Sequence, residues 1–216
     1  EFAINVYTVE LKAENGVVYG SGDYEHGAEV EISVTPNEGY QFVGWSDGDI
    51  NSTRTIVVTS DIVLQAEFVI EVMIVDVLVE NAVVIGTGEY TYGSEATIIV
   101  LPNAGYQFVR WSDDVLESVR NIKVTSDTLL VAETTPIVYS VELQGDHGRL
   151  LGSGEYNSGS HVEIEAIADE GYHFVRWSDG VVDAIRTIEV NSDITLVAEF
   201  AINVYTVELK AENGVV

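Results

Sequence analysis

The chain has 216 residues, with 36 Asp and Glu against 9 Lys and Arg, for a formal charge of −27. That balance argues against nucleic acid and against an anionic membrane surface as partners, since both need a cationic face. The absence of cysteine excludes disulfides and thiolate metal sites. The 46% apolar content excludes a disordered acidic tail, and no run approaches the ~20 apolar residues of a membrane span.

Residues 4–12 alternate and are rich in β-branched and aromatic side chains, which predicts a strand. Asn15-Gly16 is a strong hairpin signal, because both residues tolerate positive φ. Residues 17–24 then read as the return strand, interrupted by Gly20 and Gly22, as a bulge or a close backbone approach would require. Residues 28–35 form the next strand, with Val30, Ile32 and Val34 on a buried face and Glu29, Glu31 and Ser33 on a wet one. Pro36 and Gly39 turn the chain into an aromatic strand, residues 40–45, which is apolar on both faces. It is therefore central in its sheet, or a bulge near Gly44 turns Trp45 inward. A polar loop, a strand over 53–58, a Thr59-Ser60-Asp61 turn and a strand over 62–68 complete about six strands. No segment carries a helical period.

The aromatic stretch Gly39-Tyr40-Gln41-Phe42-Val43-Gly44-Trp45-Ser46-Asp47 returns at 105–113 and again at 171–179, a constant 66-residue period. It holds all three Trp. A fixed period of this size marks a tandem array. The predicted fold is all-β: 66-residue modules, each a small β-sandwich or β-grasp-like unit, strung into an extended rod. The expected modules are 1–68, 69–134 and 135–200, with 201–216 the first strand and hairpin start of a fourth. A unit of this size is marginal alone and gains from its neighbours. The junctions carry no Gly/Ser linker, so they read as stiff, and Pro136 predicts a different bend at the second.

These landmarks resemble the divergent branch of the internalin-type B-repeat superfamily, the Listeria–Bacteroides repeat. The residues that carry the resemblance are Gly39-Tyr40-x-Phe42-x-Gly44-Trp45-Ser46-Asp47-Gly48, then Thr59-Ser60-Asp61-Ile62 and Ala66-Glu67-Phe68. It covers all three units. It implies small β-grasp-like modules in tandem, in secreted or surface-anchored prokaryotic proteins, acting as stalks, spacers or adhesive segments. It implies no catalytic residues. The chain departs from the pattern where Arg110 and Arg176 replace the Gly before Trp, Asp114 replaces Gly48, and Thr134 replaces Phe68.

A residue needed in every unit should recur at the 66-residue period. The four His fail this test: His26, His147, His161 and His173 align with non-His residues in the other units. They read as surface residues rather than bases or ligands. No catalytic grouping, phosphate loop or zinc spacing is present, so no enzyme activity and no cofactor are expected. Asp47, Asp49 and Asn51 sit at alternate positions, as calcium ligands do. The twelfth position of such a loop would need a bidentate Glu and is Val58, so an acidic turn is the stronger reading. Asn51-Ser52-Thr53 is a glycosylation sequon that occurs once. The recurrent Tyr40, Phe42 and Trp45 read as core, and Arg110 and Arg176 as partners of a ring or a carboxylate. Tyr24, Tyr90 and Tyr156, beside the Gly pairs, are the candidate ligand surface.

Residues 199–216 repeat residues 1–18 at all 18 positions, whereas 67–84 match 1–18 at 9 of 18. A shared fold does not explain that difference. It predicts a longer, 198-residue period, so that the chain is a piece of a continuing array or a subunit whose last strand completes a neighbour. Either account makes Val204, Tyr205, Val207 and Leu209 an inter-copy contact, because an unpaired apolar strand is a liability. The expected function is a structural segment of an extracellular or cell-surface prokaryotic protein, a stiff acidic rod or filament whose partners are further copies of itself, end to end. The alternative is an adhesin-type module for a glycan or protein ligand. A third possibility is an accessory array beside an enzyme.

Overall fold

The computed structural model describes residues 3–210. No helix occurs among them, so none is long and apolar enough to cross a membrane. The first module contains β1 (Val6–Lys12), β2 (Gly16–Tyr19), β3 (Gly22–Glu25), β4 (Ala28–Pro36), β5 (Tyr40–Trp45), β6 (Thr53–Val58) and β7 (Ile62–Ile70). They form a four-stranded sheet in the order β3-β1-β7-β5 and a three-stranded sheet in the order β2-β4-β6. Within these sheets β1 and β7 run parallel, with Val9 opposite Ile62 and Leu11 opposite Leu64. The other ladders are antiparallel.

Alternation along each strand sends one face inward. Val9, Leu11, Trp45, Leu64 and Ala66 come from the four-stranded sheet, and Val30, Ile32, Val34 and Val58 from strands of the other. Together they make one apolar core between two layers. Among the described residues no polar or charged side chain is fully buried. The parallel pair is pinned by a side chain: Asp61 Oδ1 accepts from the Thr8 amide at 2.9 Å. Asp127 and Asp193 do the same for Ile74 and Ser140, each at 2.8 Å. This is the structural role of the turn that ends in Ser-Asp in every module.

Three expectations are corrected. Asn15-Gly16 does not close a hairpin of paired strands: β1 pairs with β3 and β7, while β2 pairs with β4. The expected return strand is two strands in different sheets, so a module has seven strands. The chain changes sheets at Gly20, which holds φ +102° with Glu31 O only 2.6 Å from where a Cβ would lie. Finally, the aromatic strand β5 lies at a sheet edge rather than its centre. Trp45 turns inward because the register shifts between Phe42 and Gly44, an edge bulge.

The second module repeats the set as β8 (Val72–Leu78), β9 (Ala82–Ile85), β10 (Gly88–Thr91), β11 (Glu95–Pro102), β12 (Tyr106–Trp111), β13 (Val119–Lys123) and β14 (Thr128–Pro136). The third repeats it as β15 (Val138–Gln144), β16 (Gly148–Leu151), β17 (Gly154–Asn157), β18 (Ser160–Ala168), β19 (Tyr172–Trp177), β20 (Ile185–Val190) and β21 (Ile194–Ile202). Each again gives one four-stranded and one three-stranded sheet. The expected module boundaries fall inside β7, β14 and β21, and the strands break at Glu71, Ile137 and Asn203. The chain separates into two compact units, one holding the first module and most of the second, the other holding the remainder.

The substitution of Phe68 by Thr134 is matched elsewhere in its module. The Phe68 ring lies over Gly16, its Cζ 2.6 Å from where a Cβ would stand, and Phe200 lies likewise over Gly148 at 2.4 Å. In the second module the glycine is Ala82 and the phenylalanine Thr134. The second module thus adds a methyl at the position where the others need glycine and lacks the ring that would clash with it, and Thr134 Oγ1 donates to Glu80 O at 2.8 Å.

Residues 204–210 carry the β1 sequence, Val-Tyr-Thr-Val-Glu-Leu-Lys, yet form no strand. Val9 and Leu11 in β1 are 1% and 8% exposed, while Val207 and Leu209 are 80% and 87% exposed. Propensity is the same in both places, and only the first copy has partners on either side. Residues 201 and 202 of the expected fourth module belong to β21, and 211–216 lie outside the described residues.

Candidate functional site

Among the described residues, the side-chain constellation that recurs in all three modules at full complexity surrounds the tryptophan. Trp45, Trp111 and Trp177 are 2%, 0% and 0% exposed. Each indole N–H donates to a carbonyl of the loop beyond it: Asn51 O at 3.0 Å, Glu117 O at 2.8 Å and Asp183 O at 3.0 Å. Over the rings lie Arg54, Arg120 and Arg186, 5.9, 5.2 and 5.8 Å from the ring centroids. Each arginine returns to the loop and pairs with the Asp two positions after the Trp: Asp47, Asp113 or Asp179. A cation held between an aromatic face and a carboxylate fixes the loop against the sheet.

Electrostatics follow that geometry. The Arg54 hydrogen bond holds the Asp47 carboxyl below the usual range, and Arg120 does so for Asp113. At Asp179 burial pushes upward, but the hydrogen bonds from Arg186 and the Val181 amide prevail and lower it. Asp49 is lowered by the Asn51 amide and then by Arg54. Arg54 is drawn down by burial, yet its two carboxylates raise it overall.

The second recurrent feature is the joint between modules, and each of the two joints lies within one compact unit. Glu71 N–H donates to Gly39 O, and Tyr92 N–H to Glu71 O, each at 2.8 Å. At the next joint Ile137 donates to Gly105 O, and Ser158 to Ile137 O, again at 2.8 Å. One residue thus links the corner of one module to the turn of the next by two backbone bonds. At the first joint the Tyr92 ring sits against Gly39, and its hydroxyl donates to Glu38 Oε1. That bond to a carboxylate raises the Tyr92 pKa.

The divergent InlB B-repeat domain matches residues 7–71, 77–137 and 139–204. The chain belongs to the divergent InlB B-repeat family. A relative from Evansella cellulosilytica, which carries the provisional name Gly-rich membrane protein, is 27% identical over 229 residues. The alignment spans 99% of this chain but only 26% of that protein. Among solved structures, the Bacillus anthracis TIE protein is similar at 9% identity and a TM-score of 0.49, over 90% of this chain and 49% of its own. That likeness is too slight to bear on role.

The B-repeats place the candidate residues as follows. Tyr24, Tyr90 and Tyr156 are half-buried, one per module, and are not brought together. Their hydroxyls donate to Gly20 O, Gly86 O and Gly152 O at 3.2, 2.7 and 3.1 Å, closing the point where the chain changes sheets. Asp47 and Asp49 converge, but on Arg54, whose Nη1 lies 2.9 Å from Asp49 Oδ2. Asn51 donates to Asp49 Oδ1 from its amide at 2.8 Å and from its side chain, the sequon nitrogen, at 2.9 Å. No group of three potential metal ligands occurs among the described residues. Val204, Tyr205, Val207 and Leu209 are exposed. Arg110 and Arg176 pair with Asp114 at 2.7 Å and Glu199 at 2.8 Å. Asp114 holds φ +64° where the first and third repeats have Gly48 and Gly180, so the two departures at 110 and 114 are coupled. Arg54, Arg120 and Arg186 were not among the sequence candidates, although their 66-residue recurrence was visible.

Proposed function

We propose that this chain is a structural segment of a cell-surface protein, in which the B-repeats act as a stiff acidic spacer and perform no catalysis. The observation that carries this reading is the joint. Two backbone hydrogen bonds through a single residue, without a Gly or Ser linker, leave little freedom between successive modules. The residues that recur are engaged inside their own modules, in the Trp loop, the Asp turn and the Tyr closure. The excess of carboxylates disfavours collapse onto neighbouring rods. Solution scattering tests the proposal: an array of stiffly joined modules gives a radius of gyration well above the ~17 Å of a compact globule of this length. A value near that limit refutes it.

A second reading, an adhesin-type module for a protein or glycan, is favoured by one observation. The outer face of the second module's four-stranded sheet carries Ile74, Leu78, Leu129 and Val131, which are 54%, 54%, 60% and 40% exposed. The same positions are Thr8, Lys12, Val63 and Gln65 in the first module, and Ser140, Gln144, Thr195 and Val197 in the third. Loss of surface adhesion on changing Ile74 and Leu129 to Ser, with the fold intact, would support this reading over the spacer.

A further inference from the structure

The backbone relay at the joints is complete twice and half-built twice. After the third module, Asn203 N–H donates to Gly171 O at 2.8 Å, which is the first bond of the relay. In the first module, His26 N–H donates to Asn5 O at 2.8 Å, which is the second. Asn5 and Asn203 are the same position, one 198-residue period apart, inside the stretch that repeats without a mismatch. Laid on that shared asparagine, the two halves make a whole relay: Gly171 O, asparagine N–H, asparagine O, His26 N–H. The surface beneath is also prepared. Gly39 is buried at the first joint, whereas Gly171 is exposed, holds φ +87° and has nothing within 4 Å of a notional Cβ.

We propose that a second copy of the first module joins the third module through this relay, and that at the joint His26 of the incoming copy faces Glu170 of the preceding one. The proposal deepens the spacer reading and rests on it. Its side-chain part comes from spacing. Tyr92 reaches Glu38 at a sequence separation of 54, and His26, one 198-residue step on, stands at the same separation from Glu170. The remaining joint has Ala104 opposite Ser158 and carries no such pair.

The groups around that imidazole are identifiable. On the incoming module it is the Tyr7 ring, 5.8 Å from the His26 ring. On the preceding module they are Glu170 and Asn203, whose Oδ1 lies 2.9 Å from His173 Nδ1. Asn203 stands where Glu71 adds its negative charge beside Tyr92 at the first joint. Glu170 therefore favours the imidazolium, and His173, held by Asn203, opposes it. A proton on His26 turns a neutral contact into a charge-assisted hydrogen bond. The joint between copies thus firms on mild acidification, while the Tyr92 joint inside the chain does not respond in that range.

The test uses a chain in which residues 1–198 are followed by residues 1–216, so that it holds two His26, one at the new joint. Nuclear magnetic resonance should show a contact between the second His26 ring and the α-protons of the first Gly171. The second His26 ring should also show a contact with the γ-protons of Glu170 in the first block. Glu170→Gln in the first block should abolish the firming of the joint on mild acidification and keep the ring contact with Gly171. Absence of the contact overturns the joint. A contact with Gly171 but none with Glu170 overturns the pairing. Neither result depends on the scattering of the single chain, which decides the spacer reading separately.

Discussion

Alanine at Gly39 and at Gly171 is the same substitution at the same place in two modules, and the structure separates its costs. Both glycines hold a left-handed φ, +79° and +87°, so both variants carry the backbone penalty of about 1–2 kcal/mol. Only at Gly39 is the space filled. A Cβ would lie 2.1 Å from Tyr92 Cδ1 and 2.3 Å from Cγ, against ~3.5–4.0 Å for an unstrained carbon contact. The ring must move by more than an ångström, which takes its hydroxyl off Glu38 and adds an overpacking cost of about 1–3 kcal/mol. Gly39→Ala should therefore cost roughly 2–5 kcal/mol and Gly171→Ala only about 1–2. Gly105→Ala should fall near Gly171→Ala, because Ser158 Cβ stands 3.5 Å away, an ordinary contact. Amide hydrogen exchange at Glu71 and Tyr92 reads the loss where it arises. Tyr92→Ala should bring Gly39→Ala back to the cost of Gly171→Ala. Equal losses for Gly39→Ala and Gly171→Ala, within about 0.5 kcal/mol, would show that the ring is not seated on the glycine.

Three further outcomes are expected. Trp111→Ala, which removes a wholly buried ring, should destabilise by about 3–5 kcal/mol in urea unfolding, and a loss below about 1 kcal/mol would place the ring outside the core. Thr134→Phe alone should destabilise by overfilling the space beside Ala82, while Ala82→Gly with Thr134→Phe recreates the arrangement of the first and third modules. A double-mutant cycle by thermal unfolding that shows no coupling would refute the compensation. The Asp47 and Asp113 carboxyls are held below their ordinary 3.8 by Arg54 and Arg120. Their contribution is therefore present above pH ~4 and is lost only as pH falls through the lowered values. Carboxyl titration by carbon resonance checks this, with Arg54→Gln expected to return Asp47 towards its ordinary value.

Much of the module was legible because alternation and recurrence are local signals. The faces of β4, the inward Trp and the bounds of β5 and β6 follow from residues within a few positions of one another. The change of sheets at Gly20 was not legible, since Val17 and Tyr24 alternate in the same way whichever sheet receives them. The edge position of β5 was hidden for a related reason: Phe42 and Trp45 are apolar in a central strand or beside a bulge alike. The Trp loop was half legible. Asp47 and Asp49 suggested oxygen ligands, but their counter-ion is a side chain in the next strand, Arg54, and only its recurrence could have betrayed it. The meeting of Gly39 with Tyr92 joins residues of different modules, and no periodicity within one module encodes it.

The sequence that is a strand as β1 and no strand at 204–210 has a bearing on how such an array folds without error. A β1 position is completed only when β7 arrives, since Val9 pairs with Ile62, at the far end of the same module. During that interval any segment of the same sequence competes for the place, and mispaired neighbours are the characteristic failure of repeated domains. Adjacent modules here are poor impostors. The second module offers Met73 for Tyr7, Ile74 for Thr8 and Leu78 for Lys12, and it agrees at only half of the positions where the two exact copies agree at every one. Interchangeable strands are thereby kept three modules apart, and divergence between neighbours guards fidelity of assembly where a perfect repeat from one module to the next would invite exchange.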